Sequence, residues 1–137
     1  MKKRDPIVII KLSLKCALEY LQKLNEIRKK YTEEKIQESD NLTIIHRALW
    51  TALIIEIGCL FDTYDSKEKK VISLKKLNSH KKRIDEIHGE QIICRIINTR
   101  KSFTAHKGIL KNKIITADEI CNSKLKNLLE ELEGLIK

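Results

Sequence analysis

The chain has 137 residues, of which 42% are hydrophobic and 34% charged, a balance that excludes a disordered chain and allows one domain with its own core. With four Gly and one Pro, the composition also excludes a β-sandwich or a loop-rich scaffold. The net charge of +9 favours a polyanionic partner such as RNA or DNA, although lysine runs are equally common as solvated faces.

The first half of the chain predicts two long helices. Asp5-Pro6 is a favourable helix start, and apolar residues then recur at helical spacing to about Tyr31. Residues 33–41 are polar and predict a connection. Residues 42–61 predict a second helix that is apolar nearly all round and therefore central.

The second half predicts two more long helices and a short one. After a charged loop at residues 63–70, residues 73–79 predict a short helix. Residues 80–106 predict a long helix, with Gly89 as a candidate interruption. Phe103 is predicted on its inner face beside three isoleucines. Lys107-Gly108 is a helix stop, and a capping box from Thr116 to Glu119 predicts the start of the last helix. Residues 1–137 therefore form a single all-α domain, an antiparallel helical bundle of four main helices plus a short helix.

Several residue types predict no metal site and no membrane span. The four cysteines are far apart, which argues against zinc and for a reducing cytoplasm, with Cys59 and Cys94 as buried thiols. His46, His80 and His88 lack ligand spacing and are expected at the surface. The apolar stretch at residues 48–61 spans 14 residues, too few to cross a membrane, and no signal peptide is expected. Trp50 is expected in the core, and Glu56 at an interface or beside a polar partner.

Arg100 and His106 are the strongest candidates for chemistry. An arginine can clamp a phosphate with two hydrogen bonds, and a histidine can take or give a proton near neutral pH. On a helix the two residues would lie roughly 120° apart in rotation and about 9 Å apart along the axis. One pair is poorly placed to act alone, so a two-fold dimer that brings two pairs into one cleft is the more sensible arrangement. The two residues could also be ordinary helix residues.

Basic residues surround this pair. Residues 66–83 carry eight Lys or Arg against Glu68, and residues 91–116 carry six Lys or Arg and no acid. The candidate RNA-binding residues before the pair and within or after it are Lys81, Lys82, Arg83, Lys101, Lys107 and Lys111.

The run from Arg100 to His106, with Ala before the His, resembles the Arg-x(4–6)-His motif of the HEPN superfamily. The helix that ends in Leu60-Phe61-Asp62, the charged loop and Ser73-Leu74-Lys75-Lys76-Leu77 resemble the abortive-infection branch of that superfamily. The resemblance covers roughly residues 42–107 by sequence feature and the whole chain by helix order.

The resemblance implies a homodimeric RNA endonuclease that needs no metal or cofactor. By this resemblance His106 acts on the 2′-hydroxyl or the leaving oxygen, and Arg100 stabilises charge on the phosphate. Many such proteins are toxins or phage-defence components held by an antitoxin, often a small nucleotidyltransferase. The chain departs from the family at Lys101, where Asn or Asp is common, and at Gly108, where some members carry a Tyr that is modified by nucleotide transfer.

Two other function classes remain open. A non-catalytic helical module could bind a protein or a nucleic acid through the same surface, and spacing alone cannot separate it from the nuclease. A compact DNA-binding helical protein is less favoured, because no helix-turn-helix with a short Gly-containing turn stands out.

Overall fold

The computed structural model describes residues 5–62, 73–74, 77, 79–103 and 114–136. These residues are 83% helical and contain no strand, so the predicted all-α class is confirmed. The seven helices among them are α1 (Pro6–Lys30), α2 (Glu33–Glu38), α3 (Asp40–Leu60), α4 (Lys81–His88), α5 (Gln91–Ser102), α6 (Ala117–Ile120) and α7 (Ser123–Leu135).

Helix α1 follows its sequence signals closely. The Asp5 carboxylate accepts a hydrogen bond from the backbone N–H of Ile7, and Pro6 occupies the first turn, where its missing N–H costs nothing. Three cations, Arg28, Lys29 and Lys30, fill the last turn and complement the negative end of the helix dipole. The predicted start and end of this helix are confirmed.

The predicted connection at residues 33–41 is wrong in part, because it contains helix α2. Thr32 caps α2 by accepting from the N–H of Lys35, and Ile36 is its buried residue. Ser39 then caps α3, which begins at Asp40, two residues earlier than predicted. Strong caps therefore stabilise a helix of six residues whose polar sequence predicted none.

The helix predicted at residues 80–106 is two helices, and the interruption that the sequence allowed at Gly89 is confirmed. His80 adopts a left-handed conformation with φ of 57° directly before α4. Helix α4 ends at His88, and Gly89 and Glu90 separate it from α5. Helix α5 ends at Ser102 and Phe103 lies in a turn, so the helix stops before His106. His106 and Gly108 lie outside the described residues, as do the predicted loop at residues 63–70 and residues 75, 76 and 78 of the predicted short helix at 73–79.

The C-terminal region begins at the predicted capping box. The Thr116 hydroxyl accepts from the N–H of Glu119, whose carboxylate in turn accepts from the N–H of Thr116. The single last helix that the sequence predicts is nevertheless divided. Helix α6 ends at Ile120, and Asn122 caps the separate helix α7.

The core lies where α1, α3, α5 and α7 meet. Helix α3 packs against α1 and α5, and α1 also packs against α7. The predicted stripes are buried, and the fully buried side chains of these helices include Ile10, Leu14, Leu21, Leu24, Leu53, Ile54, Ile57, Leu60, Ile93, Ile96, Leu125, Leu129 and Leu132. Burial of such side chains stabilises the fold by roughly 1.5–3 kcal/mol each before the entropy cost is counted.

Helix α3 is less buried than its apolar sequence predicts. Ile44, Ile45 and Ile55 are 65%, 48% and 42% exposed. At 100° per residue, Ile44, Ala48, Thr51 and Ile55 fall within about 60° of one another and form one stripe along the helix. We call these four residues the α3 stripe.

Helix α3 is longer than the 14-residue apolar stretch at residues 48–61, which by itself is too short to cross a membrane. Its 21 residues, with a mean hydropathy of 1.4 over the best window, meet the length and composition of a helix that could cross a membrane. A core helix of a soluble protein meets the same test, so this one helix does not indicate where the protein is located.

Candidate functional site

Arg100 lies in the last turn of α5, and its side chain crosses helix α3 at Gly58. A Cβ atom at residue 58 would lie 3.2 Å from both Cγ and Nε of Arg100, and closer still to Cδ. Glycine therefore leaves the space that the arginine side chain occupies. Gly58 follows Ile55 by three residues on α3, so Arg100 reaches the end of the α3 stripe.

Asp62 holds the end of the Arg100 side chain. The Nη1 atom of Arg100 donates to Oδ2 of Asp62 over 3.2 Å, and the two side chains are 33% and 21% exposed. Among the residues that the structure describes, Nη1 is the guanidinium nitrogen of Arg100 that makes a hydrogen bond. Nε and Nη2 can therefore still donate to a phosphate, in the two-point geometry that arginine favours.

The structure describes part of the predicted motif. Lys101 follows Arg100 on α5 and is exposed. His106, Lys107 and Lys111 lie outside the described residues, so the predicted approach of His106 to Arg100 has no described geometry. The assignment of these residues to an RNA site stays a prediction.

Lys81 and Lys82 are exposed in the first turn of α4. No acid stands in this turn, although the positive end of a helix dipole favours acids and disfavours lysines. Neither lysine therefore stabilises the helix through its dipole.

Arg83 differs from the two lysines beside it. Its guanidinium donates two hydrogen bonds to Glu131 of α7 and one to Glu86. The hydrogen bonds that Arg83 donates to Glu131 and then to Glu86 raise the pKa of Arg83, and Arg83 lowers the pKa of Glu131. Two carboxylates thus balance the Arg83 charge, and its contacts join α4 to α7 rather than leaving it open for a phosphate.

Phe103 is exposed, so its predicted place on the inner face of the helix is wrong. The side chain is 40% exposed, although the backbone of Phe103 keeps helical angles directly after Ser102. The ring meets Trp50 of α3 edge to face, with ring centroids 5.6 Å apart and planes at 62°. Trp50 itself packs against the core, as predicted, and its buried Nε1 finds no acceptor among the described residues.

The structure shows a contact between Arg28 and His46 that the sequence did not predict. Nη1 of Arg28 lies 3.2 Å from Nε2 of His46, and Arg28 also forms an ion pair with Asp118. Because a guanidinium can only donate, His46 Nε2 must accept and the imidazole must be neutral. Burial, and then the charge of Arg28, lower the pKa of His46. Eighteen residues separate the pair in sequence, and no spacing rule joins them.

Other predicted placements are corrected or refined. Cys94 is exposed rather than buried, and its thiol donates to the carbonyl of His88 over 3.4 Å. Cys59 is half-buried, and burial raises the pKa of its thiol while Arg100 opposes the rise. His80 is exposed as predicted, whereas His88 is half-buried with its ring against Phe61. Glu56 is half-buried on α3.

Within the ranges that the structure describes, no three His, Cys, Asp or Glu side chains stand close enough together to hold a metal ion. The charged groups around Arg100 are mixed, since Asp62 forms an ion pair with it and Glu56 lies on the same helix as Gly58. Comparison with known proteins found no matching family model, no matching curated protein and no matching solved structure.

Proposed function

We propose that the protein is a metal-independent RNA endonuclease of the HEPN type, acting in a toxin–antitoxin or phage-defence system of the cytoplasm. The observation that carries the proposal is the placement of Arg100. Its side chain crosses Gly58 and is oriented by Asp62, and among the described residues Nη1 is the guanidinium nitrogen that makes a hydrogen bond. An arginine at the start of an Arg-x5-His run is thus held where it can bind a phosphate.

The proposed reaction needs an acid–base group and a charge clamp. The 2′-oxygen of the RNA forms a bond to phosphorus while the bond from phosphorus to the 5′-oxygen breaks, and the proton of the 2′-hydroxyl ends on the leaving oxygen. His106 moves that proton at one of the two oxygens. Arg100 donates hydrogen bonds to the phosphate oxygens as charge builds on them. The products are a 2′,3′-cyclic phosphate and a 5′-hydroxyl.

The proposed assembly is a two-fold dimer of antiparallel four-helix bundles, with α1, α3, α5 and α7 as the main helices. Support comes from the α3 stripe, in which Ile44, Ala48 and Ile55 are exposed and Thr51 is half-buried, and which leads along α3 to Gly58 and Arg100. Contiguous exposed apolar surface marks contact sites in soluble proteins. Two copies joined along this stripe would bring their Arg100 side chains towards a shared cleft. Each active site could then use groups from both copies, which one Arg100–His106 pair is poorly placed to replace.

RNA is the proposed substrate because exposed cations flank the site. Lys81 and Lys82 begin α4 and Lys101 follows Arg100, while Lys107 and Lys111 are candidates from the sequence alone. Arg83 contributes less, since Glu131 and Glu86 already balance its charge. An antitoxin, such as a small nucleotidyltransferase, is the proposed protein partner.

A second candidate is a non-catalytic helical module. The ion pair between Arg100 and Asp62 favours it, since an arginine kept only to join two helices would make the same contact. Such a module would bind nucleic acid or a protein through this surface without cutting.

The deciding experiment incubates the pure protein with total RNA in the presence of EDTA. The nuclease proposal expects discrete fragments with 2′,3′-cyclic phosphate ends, and no cutting by His106→Ala, since general acid–base catalysis contributes roughly 100- to 10,000-fold. A substrate with 2′-O-methyl groups should resist, because its nucleophile is blocked. Equal cutting by wild type and His106→Ala would assign the activity to another site or a contaminant. RNA binding without cutting by any variant would favour the non-catalytic module.

A further inference from the structure

We propose that Phe103 is a stacking platform for an unpaired RNA base beside Arg100. The inference rests on the proposed function for its ligand class, and it adds a binding residue that neither the Arg-x5-His motif nor the basic residues include. Its starting point is an aromatic side chain that is 40% exposed in a chain with two Phe and one Trp.

The contact with Trp50 prepares the Phe103 ring for stacking. An edge-to-face contact, here with centroids 5.6 Å apart, occupies at most one face of the Phe103 ring. Trp50 is anchored in the core on α3, so it fixes the position of the ring without covering both faces. A base that stacks on the uncovered face meets a ring that is already ordered, which lowers the entropy cost of binding.

The position of Phe103 relative to Arg100 fits one strand of nucleic acid. The two residues are three apart at the end of α5, so they lie on neighbouring parts of one face and about 5 Å apart along the axis. A phosphate at the open nitrogens of Arg100 therefore brings a neighbouring base to the Phe103 ring. The described residues from Gln91 to Phe103 include the cations Arg95 and Arg100, which form ion pairs with Glu119 and Asp62, so the phosphate contact rests on the remaining donors of Arg100.

The ligand class follows from the geometry. A base can stack on a side chain only when it is free of its partner strand, because bases in a duplex already stack on each other. The ring recognises the π-face of a base, so it tolerates different bases. We therefore assign this surface to single-stranded RNA with little sequence preference at the stacked position.

The experiment uses the full chain and a probe that cannot be cut, a 2′-O-methyl oligouridine of about ten nucleotides. Anisotropy of a labelled probe gives the dissociation constant, and emission of Trp50, the one tryptophan of the chain, reports events next to Phe103. Phe103→Leu keeps an apolar side chain but removes the π-face, and it should weaken binding about 5- to 150-fold. Phe103→Tyr should keep most of the affinity, and the probe should change Trp50 emission saturably.

The matched control is Leu12→Ala, which alters another exposed apolar side chain on α1 and should leave affinity unchanged. Equal affinity of wild type and Phe103→Leu would overturn the inference, as would equally tight binding of a duplex of the same length. A change in molar mass by light scattering for Phe103→Leu, with affinity unchanged, would show that the ring contacts a second copy instead.

The outcome is separable from that of the nuclease proposal, because the binding assay needs no cutting. A protein that binds the probe through Phe103 but cuts no RNA keeps the base platform and loses the nuclease. A protein that cuts RNA while Phe103→Leu binds and cuts normally keeps the nuclease and loses the platform.

Discussion

Arg100 lies across Gly58, and the missing side chain of Gly58 provides the space for its aliphatic part. The Cγ and Nε atoms of Arg100 are each 3.2 Å from where a Cβ of residue 58 would stand, and Cδ is nearer. A glycine inside a helix costs roughly 1 kcal/mol relative to alanine. The close approach of Arg100 gives a physical reason for a glycine in the last turn of an otherwise strongly apolar helix.

We therefore predict that Gly58→Ala lowers RNA cleavage more than it lowers stability. The added methyl group displaces Arg100 from its contact with Asp62, and a flexible arginine can move aside without unfolding the helix. The gain in helix propensity, about 1 kcal/mol, offsets part of the steric cost. Cleavage rates and urea unfolding of the same preparation measure the two effects.

Gly134→Ala is the matched control for this variant. Gly134 lies inside α7, and a Cβ there meets nothing within 4 Å, so alanine should stabilise the protein by up to about 1 kcal/mol and leave cleavage unchanged. Full activity in Gly58→Ala would show that the position of Arg100 does not matter for the reaction.

The sequence predicted the features that arise within one helix. The long apolar periods of α1, α5 and α7 and the caps at Asp5 and Thr116 are local signals, and the structure confirms them. The six-residue helix α2 was missed because one buried side chain, Ile36, gives no period. Breaks such as the one after Ile120 depend on how neighbouring helices meet, which residue spacing does not determine.

The contacts of the candidate site could be predicted only in part, because they too depend on how neighbouring helices pack. Arg100 was identified from its spacing to His106, but its contacts with Gly58 and Asp62 join segments about 40 residues apart and depend on the register of α5 on α3. Arg83 and Glu131 are 48 residues apart, so nothing in the sequence distinguished Arg83 from Lys82. The exposure of Phe103 and its contact with Trp50 depend on how α5 packs against α3, which residue spacing does not determine.

A second prediction concerns the α3 stripe. If two copies join along it, Ile55→Lys should convert the dimer to a monomer, because it places a charge in an apolar contact without a partner. Since Ile55 is 42% exposed, the fold should survive the change. Light scattering at micromolar concentration measures the molar mass. Leu12→Lys, at a residue that is 52% exposed on α1, should stay dimeric. A wild-type protein that is a strict monomer would contradict the predicted assembly.

A third prediction concerns the lysines at the start of α4. Charge reversal at both Lys81 and Lys82 should weaken RNA binding and reduce the slope of log affinity against log salt by roughly 1–2 units, since each neutralised phosphate releases counterion. The variant should fold, because negative charges suit the first turn of a helix. Lys15 and Lys23 of α1 are also exposed, and reversing both changes the net charge equally. Equal losses in the two double variants would mean that only net charge matters.

The same reasoning separates Arg83 from these lysines. Arg83→Gln removes the hydrogen bonds to Glu131 and Glu86, so it should lower thermal stability while changing the salt slope little. A fall in affinity as large as that of the lysine variants, without loss of stability, would place Arg83 on the RNA path after all.

The last prediction is a pH dependence centred on His46. Burial and the Arg28 guanidinium lower the pKa of this imidazole below its ordinary value of 6.5, and Glu33 opposes the change only in part. Between the lowered pKa and about 6.5, the unfolded chain therefore binds more protons than the folded one. Stability is present in full above the unfolded pKa and is lost as the pH falls through this window, because protonated His46 can no longer accept from Arg28 and repels it.

Urea unfolding at about pH 7.5 and about pH 5.5 measures this loss. His46→Gln should flatten the decline relative to wild type, because glutamine can still accept from Arg28 but does not titrate. The difference should stay below about 1.4 kcal/mol per pH unit, the limit for one proton, since water reaches part of the ring. His80→Asn is the control: His80 is exposed, and asparagine tolerates its left-handed backbone, so its decline should match that of wild type. If wild type and His46→Gln lose stability in parallel, Arg28 and His46 are neighbours without a functional hydrogen bond.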